Sequence, residues 1–188
     1  LDAYTKGLTD FDLEKAYNAC KGAITEKTLA PWSGMKAGKL DLFYKEFGYF
    51  PALHDDEEET EPEVHNFESR QPVAVTLGTV YDEWCLSQIA QLVGNEQDHK
   101  YFLNRSFNYR KLYNAETGFF HPKDNKGEFI MPFNYKFSGG MGARKYYGEN
   151  NAWIYRWDVP HSVADLIHLM GGNETFVANL EATFNEQL

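Results

Sequence analysis

The amino-acid sequence predicts an all-α protein built from helical hairpins that are joined by long irregular loops. Apolar residues recur at spacings of three and four in about six segments, as on one face of an α-helix. Almost no segment alternates apolar and polar residues in the manner of a half-buried strand. Glycine and proline stand at the ends of the periodic segments, where helices stop. The 188 residues are enough for one domain with its own core.

Two short helices are predicted in the first quarter of the chain. The stretch Thr9–Asp12 offers side-chain oxygens that can cap a helix beginning at Leu13, and Gly22 is expected to end that helix. A second amphipathic helix is predicted from Leu40 onward. Gly48 is expected to close it, because glycine adopts the left-handed conformation of a helix end without strain.

Residues 54–72 are predicted to form a long acidic loop. Its segment 55–63, DDEEETEPE, holds seven acids and no base. Such a charge run is usually solvated. A calcium-binding loop would need a glycine at its sharp bend, and this run has none.

The strongest helical pattern covers residues 73–93, and Gly94 is expected to end it. Asn95 can cap a further helix over residues 96–113. The two segments would form a hairpin, because only a glycine and an asparagine separate them.

The last third of the chain begins with an irregular region. Residues 114–146 lack sustained periodicity, and short strands are expected only at 128–136. Pro160 is predicted to begin a helix, because proline fits the first helical turn. Gly171 is expected to end that helix, and Asn173 to cap the last one.

Charge and hydropathy exclude two classes of partner for this segment. The net charge is −10, and no basic stripe exists that could neutralise nucleic-acid phosphates. No run approaches the roughly 18 apolar residues of a membrane-spanning helix. Cys20 and Cys85 lie on the apolar faces of predicted helices, so buried free thiols are expected.

The stretch YGENNAWIYRWDVPH, residues 147–161, combines aromatic rings with a carboxylate, two amides and a histidine. If residues 149–158 are helical, Glu149, Trp153 and Trp157 share one face. Indole rings around a carboxylate desolvate it, and desolvation raises the pKa of a carboxyl group, as general acid catalysis requires. The alternative is structural, since the helix dipole favours a glutamate at a helix start and tryptophans at this spacing usually pack in a core.

The same stretch resembles the signature Tyr-Thr-Glu-Gly-Asn-Ala-Trp-Gln-Tyr-x-Trp-x-Val-Pro-His of the exo-α-mannosidases of glycoside hydrolase family 92. Further similarity to that family runs in order along the chain. The matching segments are DAYTKGLTDFDLEKAYNA at 2–19, FYKEFGYFPA at 43–52, TLGTVYDEWCLSQIAQLVG at 76–94, NYRKLYNAETGFF at 108–120 and HSVADLIHLMGGNETFVANLEATF at 161–184.

The resemblance implies a fold and an activity. In that family an N-terminal β-sandwich precedes an (α/α)6 toroid, and residues 1–188 would form a single central segment of the toroid, excised from a longer chain. Members remove terminal α-linked mannose with inversion and need calcium. The expected substrates are therefore mannose-containing glycans, with an α-1,2 linkage, at an extracellular or periplasmic location.

The resemblance also implies roles for particular residues. Glu149 aligns with the general acid of the family, whereas the base lies in a downstream segment that this chain does not reach. Trp153, Asn151, His161 and Asp82 are the expected substrate-binding residues, and no metal ligand can be assigned. Without the base, the 188 residues alone are expected to be inactive.

Two departures from the family pattern, together with the cation Arg156, bear on the assignment of Glu149 as the general acid. Gly78 stands where the family has Glu, and Asn150 stands where it has Gly, so a divergent or inactive member is an alternative. Arg156 is placed to pair with Asp158 or with Glu149, and the second pairing would oppose the acid role. A helical carbohydrate-binding domain without chemistry, and a toroid glycosidase of other sugar specificity, are the competing hypotheses.

Overall fold

A computed structural model describes residues 1–137 and 145–186, and it confirms the predicted all-α class. The described part of the chain contains eight α-helices, one 3-10 helix and one hairpin of two-residue strands. Residues 138–144 of the predicted irregular region lie outside the described residues. The elements are α1 (Asp2–Thr5), α2 (Leu13–Thr25), α3 (Lys39–Phe47), α4 (Pro72–Leu92), α5 (Glu96–Arg105), the 3-10 helix (Asn108–Lys111), β1 (Tyr113–Asn114), β2 (Phe119–Phe120), α6 (Ala152–Tyr155), α7 (Val163–Leu169) and α8 (Asn173–Asn185).

Helix α2 begins where the sequence predicts and ends later. The Asp12 carboxylate accepts a hydrogen bond of 2.9 Å from the Lys15 backbone N–H, which confirms the cap. The expectation that Gly22 ends the helix was wrong. An interior glycine costs only about 1 kcal/mol, and Ile24, two residues beyond the predicted stop, packs against a core cluster with Tyr17 and so keeps the chain helical.

Helices α4 and α5 form the predicted hairpin and make the most extensive contact between two helices in the described residues. Gly94 turns the chain with φ +78°, and the Asn95 side chain accepts from the Asp98 N–H at 3.0 Å. The prediction of one helix over residues 96–113 was wrong. Helix α5 stops at Arg105 and a 3-10 helix follows, because the tighter turn carries Tyr109 into the core.

The acidic loop has neither helix nor strand, as predicted, but it folds back onto the body of the protein. Arg70 binds the Glu59 carboxylate through two nitrogens, at 2.5 and 2.8 Å, and donates to the Pro51 carbonyl at 3.1 Å. The Lys145 ammonium binds Asp55. Several of the loop's charges are therefore paired rather than fully solvated.

The strands lie in a different place from the prediction. Residues 128–136 contain no strand, and the pair is β1 with β2, which Gly118 (φ +73°) connects. Phe120 on β2 is fully buried. Burial of Phe120 therefore accounts for the position of the hairpin. Strands of two residues are too short to show an alternation of apolar and polar residues in the sequence.

The last two helices begin one to three residues away from the prediction. Helix α7 begins at Val163, after Ser162, rather than at Pro160. Asn173 is the first residue of α8 and not its cap, since Gly172 takes that position with φ +105°. Proline and asparagine therefore marked the correct regions but not the exact helix starts.

The cysteines differ from the expectation of two buried thiols. Cys20 is exposed and Cys85 is half-buried. Both line an open cavity of about 630 Å³ between α2 and α4, so the apolar face of α2 at Cys20 does not enter the core. Burial of Cys85 still raises the pKa of its thiol.

The main core joins α4 to the aromatic segments of the second half of the chain. It unites side chains of α6 and α7 with the first half of α4 and with the β1–β2 hairpin in one cluster. Among the described residues, none of the helices combines the length and the apolar character that crossing a bilayer requires. The fully buried apolar side chains of this core are Val73, Leu77, Val80, Tyr109, Leu112, Phe120 and Val159.

Candidate active site

Glu149 lies on a tight turn before α6 and not on a helix. Its φ is +63°, the left-handed conformation that is unfavourable for residues other than glycine. The predicted helix over residues 149–158 was wrong, since α6 covers only Ala152–Tyr155. The expected shared face of Glu149, Trp153 and Trp157 is therefore not formed. The Glu149 side chain is exposed in the described part of the chain.

The turn is closed by a side chain from the helix that follows it. The Tyr155 hydroxyl donates to the Gly148 carbonyl and accepts from the Gly148 N–H, each at 3.1 Å. The Tyr155 ring packs on Tyr147 with 5.2 Å between centroids, and the buried Tyr147 hydroxyl donates to the Phe120 carbonyl at 2.7 Å. The core thereby fixes the position of the tyrosine that holds the turn.

Gln71, at the start of α4, approaches the same turn from the other side. A Cβ on Gly148 would lie 2.8 Å from the Tyr155 hydroxyl and 3.0 Å from Gln71 Oε1, so a side chain at this position requires one of these two groups to shift. Gln71 itself has φ +46°. Its Nε2 donates to the backbone carbonyl and to the carboxylate of Glu68, both at 3.0 Å, which holds the amide in place.

A cavity of about 350 Å³ lies beside the Glu149 turn. Desolvation raises the pKa of Asp158 on its wall, although the nearby His161 opposes that shift. The Trp157 Nε1–H is buried and has no hydrogen-bond acceptor among the described residues. Aromatic faces, amides and a carboxylate suit a polyhydroxylated ligand such as a sugar. The lining residues are Gly148, Asn150, Ile154, Tyr155, Trp157 and Asp158.

Asn151 supports the turn from its far end. Its side-chain oxygen accepts from the Trp153 N–H at 3.1 Å and so caps α6, while its Nδ2 donates to the Lys136 carbonyl at 3.4 Å. It is only 1% exposed. Trp153 is half-buried and packs edge-on against Phe119 with 5.1 Å between centroids. These contacts are structural, and contact of either residue with a substrate stays a prediction.

His161 packs among rings from α4 and the 3-10 helix. Its Nε2 donates to the Ser106 carbonyl at 2.9 Å, which leaves a buried Nδ1 without a partner in the described residues. The rings of Tyr109 and Trp84 lie 5.6 and 6.2 Å from the imidazole centroid. Burial lowers the pKa of His161, so the ring is kept neutral. Its role toward a substrate also stays a prediction.

Asp82 is separated from the Glu149 cavity. It is exposed on α4 and lines the 630 Å³ cavity together with Cys20, Trp84 and Cys85. Packing around its carboxyl group raises the pKa of Asp82 through desolvation. The structure therefore does not place Asp82 and Glu149 on the wall of one cavity, and a substrate contact of Asp82 stays a prediction.

Arg156 forms neither of the ion pairs that the sequence offered among the described residues. Its guanidinium is 5% exposed and stacks over Phe119, Trp157 and Trp153, at 4.5, 5.7 and 6.0 Å from their centroids. Desolvation lowers the pKa of Arg156. The charge is thus held by aromatic faces, and a pairing with Glu149, which would have opposed the acid role, is not observed.

The described residues do not assemble a calcium site. In residues 1–137 and 145–186, no group of three or more His, Cys, Asp or Glu side chains is placed to hold a metal ion. Some carboxylates of the acidic loop bind cations instead: Glu59 binds Arg70, Glu61 binds Lys39 and Asp55 binds Lys145. These side chains therefore assign no ligand to the calcium that the family resemblance implies, and calcium stays a prediction.

Comparison with known proteins gives this site its context. The model of the glycosyl hydrolase family 92 catalytic domain matches residues 1–188. An uncharacterized secreted glycosidase of Arthroderma benhamiae is 27% identical over 201 residues, covering 96% of this chain and 24% of the relative. The chain thus spans about a quarter of that protein.

Solved structures agree with the sequence comparison. A family 92 inverting mannosidase from Bacteroides thetaiotaomicron is 29% identical and covers 96% of this chain, with a TM-score of 0.75. A second α-mannosidase from that bacterium covers the whole chain at 29% identity with a TM-score of 0.74, and its complex with mannoimidazole gives 0.73. The chain spans 22% of the first enzyme and 21% of the second.

These matches confirm the expected fold class, a portion of an all-α toroid, and they cover every element described above. They also account for the order of the sequence similarities along the chain. The chain belongs to glycosyl hydrolase family 92, as part of its catalytic domain.

Proposed function

We propose that the longer protein expected to contain this chain is an exo-α-mannosidase in which Glu149 is the general acid. The match of the whole chain to a glycosidase catalytic domain, with α-mannosidases among its structural neighbours, is the observation that carries the proposal. The fixed turn that presents Glu149 beside an aromatic and polar cavity supports the choice of residue.

The proposed mechanism needs two carboxyl groups on opposite sides of the sugar. In inverting hydrolysis the acid protonates the departing glycosidic oxygen, while a carboxylate about 6.5–9.5 Å away activates water. Glu149 would supply the proton. We place the base outside this chain, in the remainder of the catalytic domain.

The exposure of Glu149 requires a further part of this proposal. A general acid must stay protonated near neutral pH, and a carboxyl group achieves this by desolvation. The expected aromatic crevice around Glu149 is not formed by the described residues, where the side chain is exposed. We propose that the rest of the toroid and an N-terminal β-sandwich cover the turn and supply that desolvation.

Calcium belongs to the proposal only for the longer protein. Since the described residues form no metal site, the ligands would come from outside them, and no step of the mechanism is assigned to the ion. A requirement for calcium predicts that a chelator abolishes activity and that added calcium restores it.

The proposed substrates are mannose-containing glycans with terminal α-1,2-linked mannose. Support comes from the relative that was solved with mannoimidazole. A location outside the cytoplasm, extracellular or periplasmic, is proposed because the fungal relative is described as secreted.

The experiment is to follow the full-length protein by proton NMR with methyl α-1,2-mannobioside, whose blocked reducing end leaves the cleaved residue as the only free mannose released. The proposal predicts that β-mannose appears first and then mutarotates, because inversion converts the α-linkage to the β-anomer. First appearance of α-mannose would contradict inversion. Release of glucose from α-glucosides alone would favour a toroid glycosidase of other specificity.

Binding without turnover is the second candidate function. The exposed position of Glu149 favours it, since the described residues do not form the aromatic crevice around this side chain that the enzymatic interpretation expects. Calorimetric binding of mannobiose with no hydrolysis over days would establish this candidate and overturn the proposed enzyme.

A further inference from the structure

We infer that Tyr155 is a positioning residue for Glu149, whose hydroxyl fixes the backbone from which the proton-donating carboxylate projects. This inference rests on the proposed function, because positioning matters only if Glu149 reacts. Tyr155 matches a tyrosine of the family signature, but the sequence does not show what its hydroxyl binds.

The conformation of Glu149 is the first reason. A left-handed φ of +63° is unfavourable for a residue other than glycine, so the surrounding contacts must impose it. Strained backbone of this kind is concentrated at functional sites. One such contact is made to the preceding residue by the Tyr155 hydroxyl, which is bound to both backbone polar groups of Gly148 at 3.1 Å.

The closed geometry of the turn is the second reason. Residues 148–155 form a ring in which the Asn151 side chain caps α6, the Asn151 carbonyl accepts from the Tyr155 N–H at 3.1 Å, and the Tyr155 hydroxyl returns to Gly148. Glu149 lies between these two anchors. Removal of the hydroxyl opens one of them while the cap stays in place.

The chemistry of the phenol is consistent with this role. Burial is the largest cause that raises the pKa of Tyr155, although the hydrogen bond with the Gly148 backbone opposes the shift. The hydroxyl therefore stays protonated and can donate to the Gly148 carbonyl.

The space around Gly148 offers a second variant that tests the same inference. The Tyr155 hydroxyl and Gln71 Oε1 occupy the space that a Cβ would need, at 2.8 and 3.0 Å. Gly148→Ala would therefore push the hydroxyl away, whereas Tyr155→Phe deletes it. Both variants should release the same turn by different means.

The test measures leaving-group dependence in the full-length protein. Wild type, Tyr155→Phe, Glu149→Gln and the double variant are compared on α-1,2-mannobiose and on 2,4-dinitrophenyl α-mannoside. The first substrate needs a proton on its leaving oxygen, and the second does not. For Tyr155→Phe we expect kcat on mannobiose to fall about ten- to a hundredfold, the loss that a displaced catalytic group causes.

The other readouts separate positioning from a loss of stability. For Tyr155→Phe, KM should change little, and kcat on the activated substrate should fall less than about threefold. In the Glu149→Gln background Tyr155→Phe should cause little further loss of kcat, because both substitutions then affect the same group. Tyr49→Phe is the matched control. Its buried hydroxyl donates to the Asp124 carbonyl at 2.9 Å, away from the Glu149 turn, so the ratio between the two substrates should stay at the wild-type value.

The outcomes distinguish the inference from the function on which it rests. Equal losses on both substrates, an unchanged kcat on mannobiose, or a full additional loss in the Glu149→Gln background would overturn the role of Tyr155. Wild-type activity of Glu149→Gln would instead overturn Glu149 as the acid. If Tyr155→Phe does not fold, Gly148→Ala is measured in the same way and must show the same selective loss.

Discussion

Glu83 on α4 and Arg105 on α5 form a buried ion pair, with 2.5 Å between Glu83 Oε1 and Arg105 Nε. The Tyr44 hydroxyl donates to the other carboxylate oxygen at 3.0 Å, and Arg105 also donates to the Lys45 carbonyl at 3.0 Å. The pair therefore ties α3 to the α4–α5 hairpin. Burial raises the pKa of Glu83 even though Arg105 and Tyr44 oppose the shift.

Replacing Arg105 by Ala should lower the free energy of unfolding by about 3–5 kcal/mol, because it leaves an uncompensated charge in the protein interior. Urea unfolding of the full-length protein at neutral pH measures this loss. Lys100→Ala is the matched control on the same helix, since its pair with Glu96 is exposed and its removal should change stability by less than about 1 kcal/mol. Equal effects of the two variants would contradict the structural role of the buried pair.

The backbone conformation of two glycines predicts opposite effects of one substitution. Neither Gly78 nor Gly94 has an atom within 4 Å of an added Cβ, but Gly78 is helical and Gly94 has φ +78°. Gly78→Ala should stabilise by about 0.5–1 kcal/mol, because alanine favours the helix interior. Gly94→Ala should destabilise by roughly 1–2 kcal/mol.

Thermal unfolding of both variants checks the sign. The pair also bears on a departure from the family pattern, because Gly78 stands where relatives carry a side chain. A lower unfolding temperature of Gly78→Ala would contradict the open space that the structure shows beside Gly78 on α4. Activity should be unaffected in Gly78→Ala.

Buried histidines predict a loss of stability in mild acid. His121 is fully buried, with its Nε2 donating to the Ile130 carbonyl at 2.6 Å, and desolvation lowers its pKa from the usual 6.5. Below pH 6.5 the unfolded chain binds a proton that the folded protein excludes. The free energy of unfolding should therefore fall as the pH decreases from 7 toward 5.

His121→Gln isolates this contribution. Carboxyl groups with raised pKa values, such as Glu83, act in the opposite sense over part of the same range, so the measured quantity is the difference between wild type and variant. The dependence of unfolding free energy on pH should become shallower in acid for His121→Gln. An unchanged slope would show that His121 does not titrate differently in the two states.

The 188 residues alone should show no turnover of a synthetic α-mannoside. The proposed base lies outside the chain, and the described residues leave Glu149 exposed, so neither water activation nor desolvation of the acid is available. A fluorogenic assay of the purified segment beside the full-length protein measures this. Hydrolysis by the segment that Glu149→Gln abolishes would contradict the placement of the base.

Helix ends that depend on local chemistry were predictable from the sequence. Asp12, Asn95 and Gly48 act at the helix ends where their side chains or backbone freedom indicate. Local signals of this kind need only the residue and its neighbours, so no knowledge of the distant packing is required.

The conformation around Glu149 was not predictable in that way. The spacing of Glu149, Trp153 and Trp157 fits a helix, but the Asn151 cap and the Tyr155 hydroxyl impose a left-handed turn instead. Side-chain contacts within residues 148–155 therefore override the periodicity there. The roles of Gly148 and Gln71 likewise depend on a contact between distant parts of the chain, which no local pattern records.

The most direct test of proton donation by Glu149 is the kcat/KM of the full-length Glu149→Gln variant on α-1,2-mannobiose. The account predicts a fall of about a hundred- to ten-thousandfold, the usual contribution of a general acid, with binding of mannobiose retained. Glu14→Gln, an exposed glutamate in the first turn of α2, should match the wild type. Wild-type kcat/KM in Glu149→Gln would contradict the account.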